Sequence, residues 1–481
     1  GTLEFQPESN IPMLGEEAKL LSTEVTEQVI NRDLDLEHEN LMRLGTLIRD
    51  EDVTVYLRFE EFVKVHFGIF GFTGSGKSNL LSTLISKLLT RSSQPIKVVL
   101  FDLMSEYTGL LIDQLLQIED AYLVCLGENT LPGPVLSYLN GERIPREAAA
   151  ASFARYMLLP KGLKGYQDHM KAALAELMDR GKVVLWLQQK DMSVYDLFFG
   201  DHDRAPHKIK ERRSAKLGAR KRLITQIVRE AGITSDWKQV KVTPEVARRL
   251  RASLEQKTRN SEFAEDLSGV REQLGELATN QGSRFQCTIS IDKMLKILNH
   301  EENPALFVIN SHDPHALRSF AHHLGEQAYE NRRQTGRIFP LVSFIFDEAD
   351  EFVRQGSSGE PESYKRSREI AHTLARRGRK FGLGLGIATQ RIRYLDTSIM
   401  AQPHTYLVSK LPRKSDREGV AEAFGIPEEM FRQTFTFQAG NWLLLSHDAA
   451  GLKAIPVPVK TENADDRIRD FLSSFAPVGS R

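Results

Sequence analysis

Only two cysteines occur in the 481-residue chain, Cys125 and Cys287, far apart and in no CxxC pair. That excludes a disulfide framework and a cysteine-built zinc site, and it fits a reducing, cytoplasmic setting. Net charge is also missing: 64 Lys and Arg offset 64 Asp and Glu, so a nucleic-acid partner can be argued only from how the charge is distributed. No apolar run approaches the roughly 18 residues that a membrane helix needs, and no signal-peptide pattern opens the chain, so no membrane contact is expected. The chain starts at Gly1 rather than Met, which is compatible with a missing front end. This length calls for two or three domains.

What is present is concentrated in Gly71-Phe72-Thr73-Gly74-Ser75-Gly76-Lys77-Ser78. The run closes a short apolar segment, His66 to Phe70, and opens a helical pattern from Asn79 to Leu89. Strand, glycine-rich loop and helix, with the spacing G-x-x-x-x-G-K-S, form a phosphate cradle. The glycines let backbone N–H groups converge on nucleotide phosphates, Lys77 reaches the outer phosphates and the Ser78 hydroxyl can ligate Mg²⁺. Gly71, Thr73, Gly74, Ser75, Gly76, Lys77, Ser78 and Asn79 are the candidate nucleotide-binding set.

A loop at Ser92 to Pro95 separates this helix from Lys97-Val98-Val99-Leu100-Phe101-Asp102, a buried strand ending in a carboxylate. Strand, helix and strand make a βαβ unit, so the core is expected to be a mostly parallel α/β sheet with ligands at the carboxyl ends of its strands. Asp102 and Glu106 fall at that edge. Between about Gly109 and Asn303 no βαβ rhythm is evident, only helical patterns, and Val183 to Leu187 fits a strand or a short helix equally. The core resumes with Ala305 to Asn310 and a helix from about Pro314 to Asn331. Leu341-Val342-Ser343-Phe344-Ile345-Phe346-Asp347-Glu348 then ends an apolar strand in two acids, with Asp347 suited to hold Mg²⁺ through water and Glu348 to polarise an attacking water. After a helix from Tyr364 to Arg377, the strand Leu383 to Thr389 ends in Gln390, where a sensor of the γ-phosphate belongs. Arg376, Arg377 and Arg379 can act in trans on a neighbour's nucleotide, or serve as cations at a helix C-terminus.

Charge is uneven along the chain. Residues 16–40 carry 8 acidic against 2 basic residues, whereas 201–260 carry 17 Lys and Arg against 7 Asp and Glu. The densest basic positions, Lys210, Arg212, Arg213, Arg220, Lys221 and Arg222, read as a DNA-phosphate contact surface or as a solvated or protein-facing helix.

The phosphate loop GFTGSGKSNLL, with FDLMSEY, FIFDEAD and ARRGRKFGLGLGIATQRI, resembles the HerA branch of the HerA/FtsK superfamily of P-loop ATPases. The resemblance implies a RecA-like core with a mostly parallel sheet at 58–135 and 303–460, interrupted by a large helical insertion at 136–302. An acidic N-terminal segment at 1–57, in place of the family's barrel or as its remnant, and a tail at 461–481 complete the expected division. It implies ATP and Mg²⁺ as cofactors, Lys77 and Ser78 on phosphate and metal, Asp347 and Glu348 as metal and catalytic carboxylates, and Gln390 as sensor. Asp102 and Glu106 become active-site acids, and one of Arg376, Arg377 and Arg379 the trans finger. As partners it implies a hexameric ring, duplex DNA and a nuclease or sirtuin-type effector, in DNA end processing or anti-phage defence. The sequence departs from the family's D-P-H-G-E-Y at Leu103-Met104-Ser105. Two other functions stay open: an ATP-switched scaffold that regulates an effector with little translocation, and a conjugation or secretion motor.

Overall fold

A computed structural model of the chain describes residues 20–37, 39–187, 193–199, 212–234, 236–237, 240, 242–259, 263–264, 267–278, 287–357 and 359–475. Its contacts divide the chain into two compact units, Gly1–Trp186 with Cys287–Arg481, and Leu187–Gln286.

The first unit is built on twelve strands: β1 Leu41–Leu47, β2 Thr54–Arg58, β3 Phe67–Phe70, β4 Ile96–Asp102, β5 Asp120–Leu126, β6 Val183–Trp186, β7 Ala305–Asn310, β8 Leu341–Asp347, β9 Leu383–Thr389, β10 Thr405–Val408, β11 Asn441–Ser446 and β12 Val457–Thr461. They form one sheet in the order β2-β1-β12-β11-β10-β3-β9-β8-β4-β7-β5-β6. From β10 to β6 every pairing is parallel, and from β10 back to β2 every pairing is antiparallel. The expected α/β architecture with a mostly parallel sheet is therefore the observed one.

Burial explains why the central strands read as continuous apolar runs. All seven residues of β4, of β8 and of β9 are buried. Phe70, Val99, Phe101, Phe344, Phe346, Leu385 and Ile387 join a cluster with Leu317, Phe320, Ile370 and Leu374 of the helices Pro314–Thr335 and Glu362–Arg377. The alternating residues Ile69, Val98, Leu100 and Ile345 are buried on the other face. A sheet covered on both faces keeps no polar alternation.

One open reading is resolved and two expectations change. Val183 to Trp186 is a strand, the sheet's edge, bonded to β5. The second compact unit begins after it, so residues 136–186 lie with the ATPase core rather than in a helical insertion. Nor do residues 41–58 stand apart as a segment, because β1 pairs with β12. Two strands were not read from the sequence at all, β1 and β5. Both cysteines are free, and among the described residues no helix is long and apolar enough to cross a membrane.

The second unit is helical among its described residues, with Val194–Phe199, Arg212–Glu230, Pro244–Thr258 and Ser268–Ala278. Its own small core includes Phe198, Ile224, Ile227, Val228, Ala247, Leu250, Leu254 and Leu274.

Candidate active site

β3 turns into the helix Lys77–Thr90 through the glycine-rich loop. Gly74 and Gly76 take φ of +85° and +92°, a left-handed backbone that a side chain would strain. Gly76 is the helix N-cap and offers no side chain, so no side-chain hydrogen bond caps the first turn. The leading N–H groups and the positive end of the helix dipole remain for an anion. Ser75 Oγ is buried without a hydrogen-bond partner. These features fit nucleotide phosphates.

Because β9 lies between β3 and β8, the ends of three parallel strands meet around Lys77. Lys77 Nζ donates to Asp347 Oδ1 at 2.5 Å and to Glu348 Oε1 at 3.1 Å. Burial alone would lower the lysine's proton affinity, but the two carboxylates outweigh it and hold the ammonium charged. Glu348 shifts the opposite way: burial raises its carboxyl above the ordinary range, against the pull of Lys77. Its backbone is left-handed, φ +47°, in the turn between β8 and the short helix Ala349–Glu351.

Gln390 follows β9 and spans the site. Its Oε1 accepts from Thr73 Oγ1 at 2.5 Å, and its Nε2 lies 3.5 Å from Glu348 Oε1. One amide thus touches both the phosphate loop and the acid. A hydroxyl at Ser78, on the helix's first turn, and a carboxylate at Asp347 are hard oxygen donors of the kind Mg²⁺ takes, and such an ion completes its shell with water and phosphate oxygens. Among the described residues, no group of three or more His, Cys, Asp and Glu could hold a metal alone.

Two sequence-predicted residues have other work. Asp102 is fully buried and folds back on its own loop, accepting from Glu106 N at 3.2 Å and Tyr107 N at 2.9 Å. Burial lifts its carboxyl to about 7. It holds the turn that carries Tyr107, near enough to Asp347 for the two charges to repel, and Glu106 is half-buried beside it. Asn79 is likewise committed elsewhere: its amide bonds Asn463 Oδ1 at 2.5 Å and its carbonyl accepts from Ala464 N at 2.9 Å, holding the start of the helix Ala464–Leu472.

Sequence reasoning missed Tyr107. Its buried hydroxyl donates to Asp347 Oδ2 at 3.0 Å, so each oxygen of Asp347 has its own donor, Lys77 or Tyr107. The tyrosine in FDLMSEY, five residues beyond a strand-end acid, was the available signal.

Arg376, Arg377 and Arg379 are exposed at the far edge of the sheet, just before β9 begins. The strand runs seven residues from there to Gln390, roughly 23 Å at about 3.3 Å per residue, so within one chain they do not reach Lys77. Of the basic positions in the second unit, Lys221 and Arg222 are exposed, while Arg220 is half-buried with its guanidinium 3.5 Å from the Phe198 carbonyl. Lys210 and the side chains of Arg212 and Arg213 lie outside the described residues.

A groove of mixed charge adjoins the site. Its volume is about 720 Å³, and Arg354, Arg391, Arg393 and Arg413 line it together with Asp350, Glu351 and Asp416, beside Phe72, Thr73, Gln390 and Tyr394; the Arg391 guanidinium lies 3.8 Å from Asp350 Oδ2. The Arg393 guanidinium lies 4.5 Å from the Tyr394 ring centre, and Asp416 Oδ1 is buried with no partner.

Residues 42–328 match the family model described as the central domain of the helicase HerA. A probable helicase of Methanocaldococcus jannaschii is 21% identical over 433 residues, 89% of this chain and 68% of the relative. The DNA double-strand break repair helicase HerA of Saccharolobus solfataricus is 23% identical over 141 residues, 29% of this chain and 26% of the relative. The chain thus matches about a quarter of that relative's length. Among solved structures, VirB4 of Thermoanaerobacter pseudethanolicus is 14% identical, with a TM-score of 0.44 over 89% of this chain and 97% of that one. The bacterial conjugative coupling protein TrwB is 12% identical, with a TM-score of 0.40 over 95% and 94%.

Proposed function

The chain belongs to the HerA helicase family, and from that premise we propose that it is an ATP-hydrolysing, ring-forming motor that moves duplex DNA for an effector enzyme. One observation carries the ATPase reading: Lys77 is bonded at once to Asp347 and Glu348, with Gln390 linking Glu348 to the phosphate loop. Bound Mg²⁺ and ATP would supply the transferable phosphoryl group and neutralise its charge; Ser78 and Asp347 are the residues to hold the metal. Lys77 then exchanges its carboxylate partners for phosphate oxygens. That exchange releases Glu348 to orient water, and Gln390 lies where it can report the loop's state to the acid.

The same geometry supports assembly. A trans-acting arginine must come from another copy, and the exposed Arg376, Arg377 and Arg379 stand too far from their own phosphate loop to serve it. One of them completing a neighbour's site would supply the charge that phosphoryl transfer demands, an effect worth about 10³ or more in rate. A hexamer, a nuclease or sirtuin-type effector, and a role in end processing or anti-phage defence are inferences from family membership.

For the DNA contact, the groove beside Gln390 is favoured over the basic second unit. Two of its arginines, Arg391 and Arg393, directly follow Gln390 in sequence, so phosphate contacts there can couple to the nucleotide. The testing experiment pairs Glu348→Gln with Arg393→Ala. The first is expected to bind ATP and lose turnover; the second is expected to keep basal turnover and lose its stimulation by DNA. Retained turnover in Glu348→Gln removes Glu348 from its role.

A further inference from the structure

His66 sits where the phosphate-loop strand begins, buried and with φ of +68°, a backbone that histidine adopts more readily than most residues. Its ring joins three elements. Nδ1 accepts from the backbone N–H of Leu385 in β9 at 2.9 Å, and Nε2 lies 2.9 Å from the carbonyl oxygen of Ala375. With Nδ1 accepting, Nε2 carries the proton and donates to Ala375. Burial holds the imidazole's pKa at about 4, so the ring is neutral at physiological pH and this pattern persists.

Ala375 belongs to the last turn of the helix Glu362–Arg377, whose final carbonyls have no partner within the helix. Gly378 N caps Leu374, and His66 satisfies Ala375. Arg376 and Arg377 come directly next and Arg379 two residues on. The backbone has no slack here: a Cβ on Gly378 would lie 2.4 Å from the Leu383 carbonyl oxygen. From His66, β3 runs straight into the phosphate loop.

We propose that His66 is a positioning residue that fastens the arginine-bearing helix end to the root of the phosphate-loop strand, so that each subunit presents its arginines to the neighbouring nucleotide in register with its own loop. This rests on the trans-arginine reading above. No described residue other than His66 makes a side-chain hydrogen bond to the Ala375 carbonyl among the contacts around this helix end.

The test separates two hydrogen bonds. His66→Asn keeps an acceptor near the Nδ1 position for Leu385 and releases Ala375; His66→Gln keeps a donor near the Nε2 position. The assembled His66→Asn protein is expected to lose about tenfold in ATP turnover, with affinity for a fluorescent ATP analogue changed less than twofold. His66→Gln should retain more than half the wild-type rate. Mixing is the decisive arm. Lys77→Ala subunits cannot turn over ATP but carry an intact His66 and intact arginines, so adding them to His66→Asn subunits should restore turnover at the His66→Asn nucleotide sites. Absence of rescue, in mixtures whose co-assembly is verified by mass, would overturn the proposal by locating the defect in the variant's own phosphate loop. Equal losses in His66→Asn and His66→Gln would overturn it as well. An Arg376→Ala, Arg377→Ala, Arg379→Ala protein run alongside tests the premise: if it turns over ATP normally, the trans reading fails and this inference with it. If it is inactive and rescued by Lys77→Ala subunits while His66→Asn is not, only the inference fails.

Discussion

Replacing Tyr107 by Phe removes one hydroxyl from a site that is otherwise fully packed. The ring is buried and keeps its place; what disappears is the 3.0 Å donation to Asp347 Oδ2. Hydrogen bonds to charged groups are worth about 1.5–3 kcal/mol. If that energy serves to aim Asp347 in the transition state, its loss corresponds to a roughly ten- to hundredfold fall in turnover. The bond that is lost lies on Asp347 and not on the phosphate loop, and Lys77 remains free to exchange Asp347 for phosphate, so nucleotide affinity should change less than about twofold. The carboxylate loses one of its two fixed partners, so the concentration of Mg²⁺ needed for half-maximal turnover should rise. The assay is steady-state ATP turnover across a Mg²⁺ titration, with Mn²⁺ affinity read independently by electron paramagnetic resonance. Unchanged turnover and unchanged Mn²⁺ affinity would refute the assignment of Tyr107 to Asp347.

Further outcomes follow from the buried charges. Lys77→Ala leaves Asp347 and Glu348 facing each other without a cation, and breaking a buried pair costs about 3–5 kcal/mol. Burial already raises the Glu348 carboxyl against the pull of Lys77, and without the lysine that carboxyl binds its proton still more tightly in the folded than in the unfolded state, so the penalty grows as pH rises; the variant's melting temperature should fall further below wild type at pH 8 than at pH 5. Asp102 follows the same sign: its folded carboxyl is raised from 3.8 to about 7, so ionising it destabilises the fold increasingly from about pH 4 up to 7. At ~1.4 kcal/mol per tenfold change in proton affinity, the penalty at pH 8 reaches up to about 4 kcal/mol. Asp102→Asn forfeits one of the two side-chain acceptors for the Glu106 and Tyr107 N–H groups at every pH but should show a flatter stability profile over that window, checked by melting from pH 4 to 8. A steeper profile would contradict the assignment. Arg222→Ala and Lys221→Ala, in the helical unit, should leave DNA stimulation within about twofold if the groove beside Gln390 carries the contact.

How far the sequence could be read depended on whether a residue's role is local. The phosphate loop is a run of eight residues whose glycines, lysine and serine act within one turn, and Asp347-Glu348 close a strand with no competing pattern. The parallel core was legible because strands buried on both faces are unbroken apolar runs. β1 was not, because a bulge between Arg43 and Gly45 interrupts its alternation, and Gly45 is there for the close approach of the Lys460 carbonyl from a strand over 400 residues away. The partners of Asp102 were hidden for a different reason. A strand-end acid at the ligand edge looks the same in sequence whether it faces substrate or turns back to accept N–H groups from its own loop. Tyr107 and His66 act through partners 240 and 309 residues distant; the FDLMSEY run marks the tyrosine but not its partner, and nothing local marks His66.

The central claim is that this site hydrolyses ATP under the control of DNA. Its most direct measurement is the steady-state ATPase rate of the assembled protein with and without duplex DNA, at two salt concentrations, with Lys77→Ala as the blank. A several-fold rise with DNA that shrinks at the higher salt, as phosphate contacts require, is expected, with no turnover in the blank. A rate indifferent to DNA but raised by an effector protein would contradict it and would instead describe an ATP-switched scaffold.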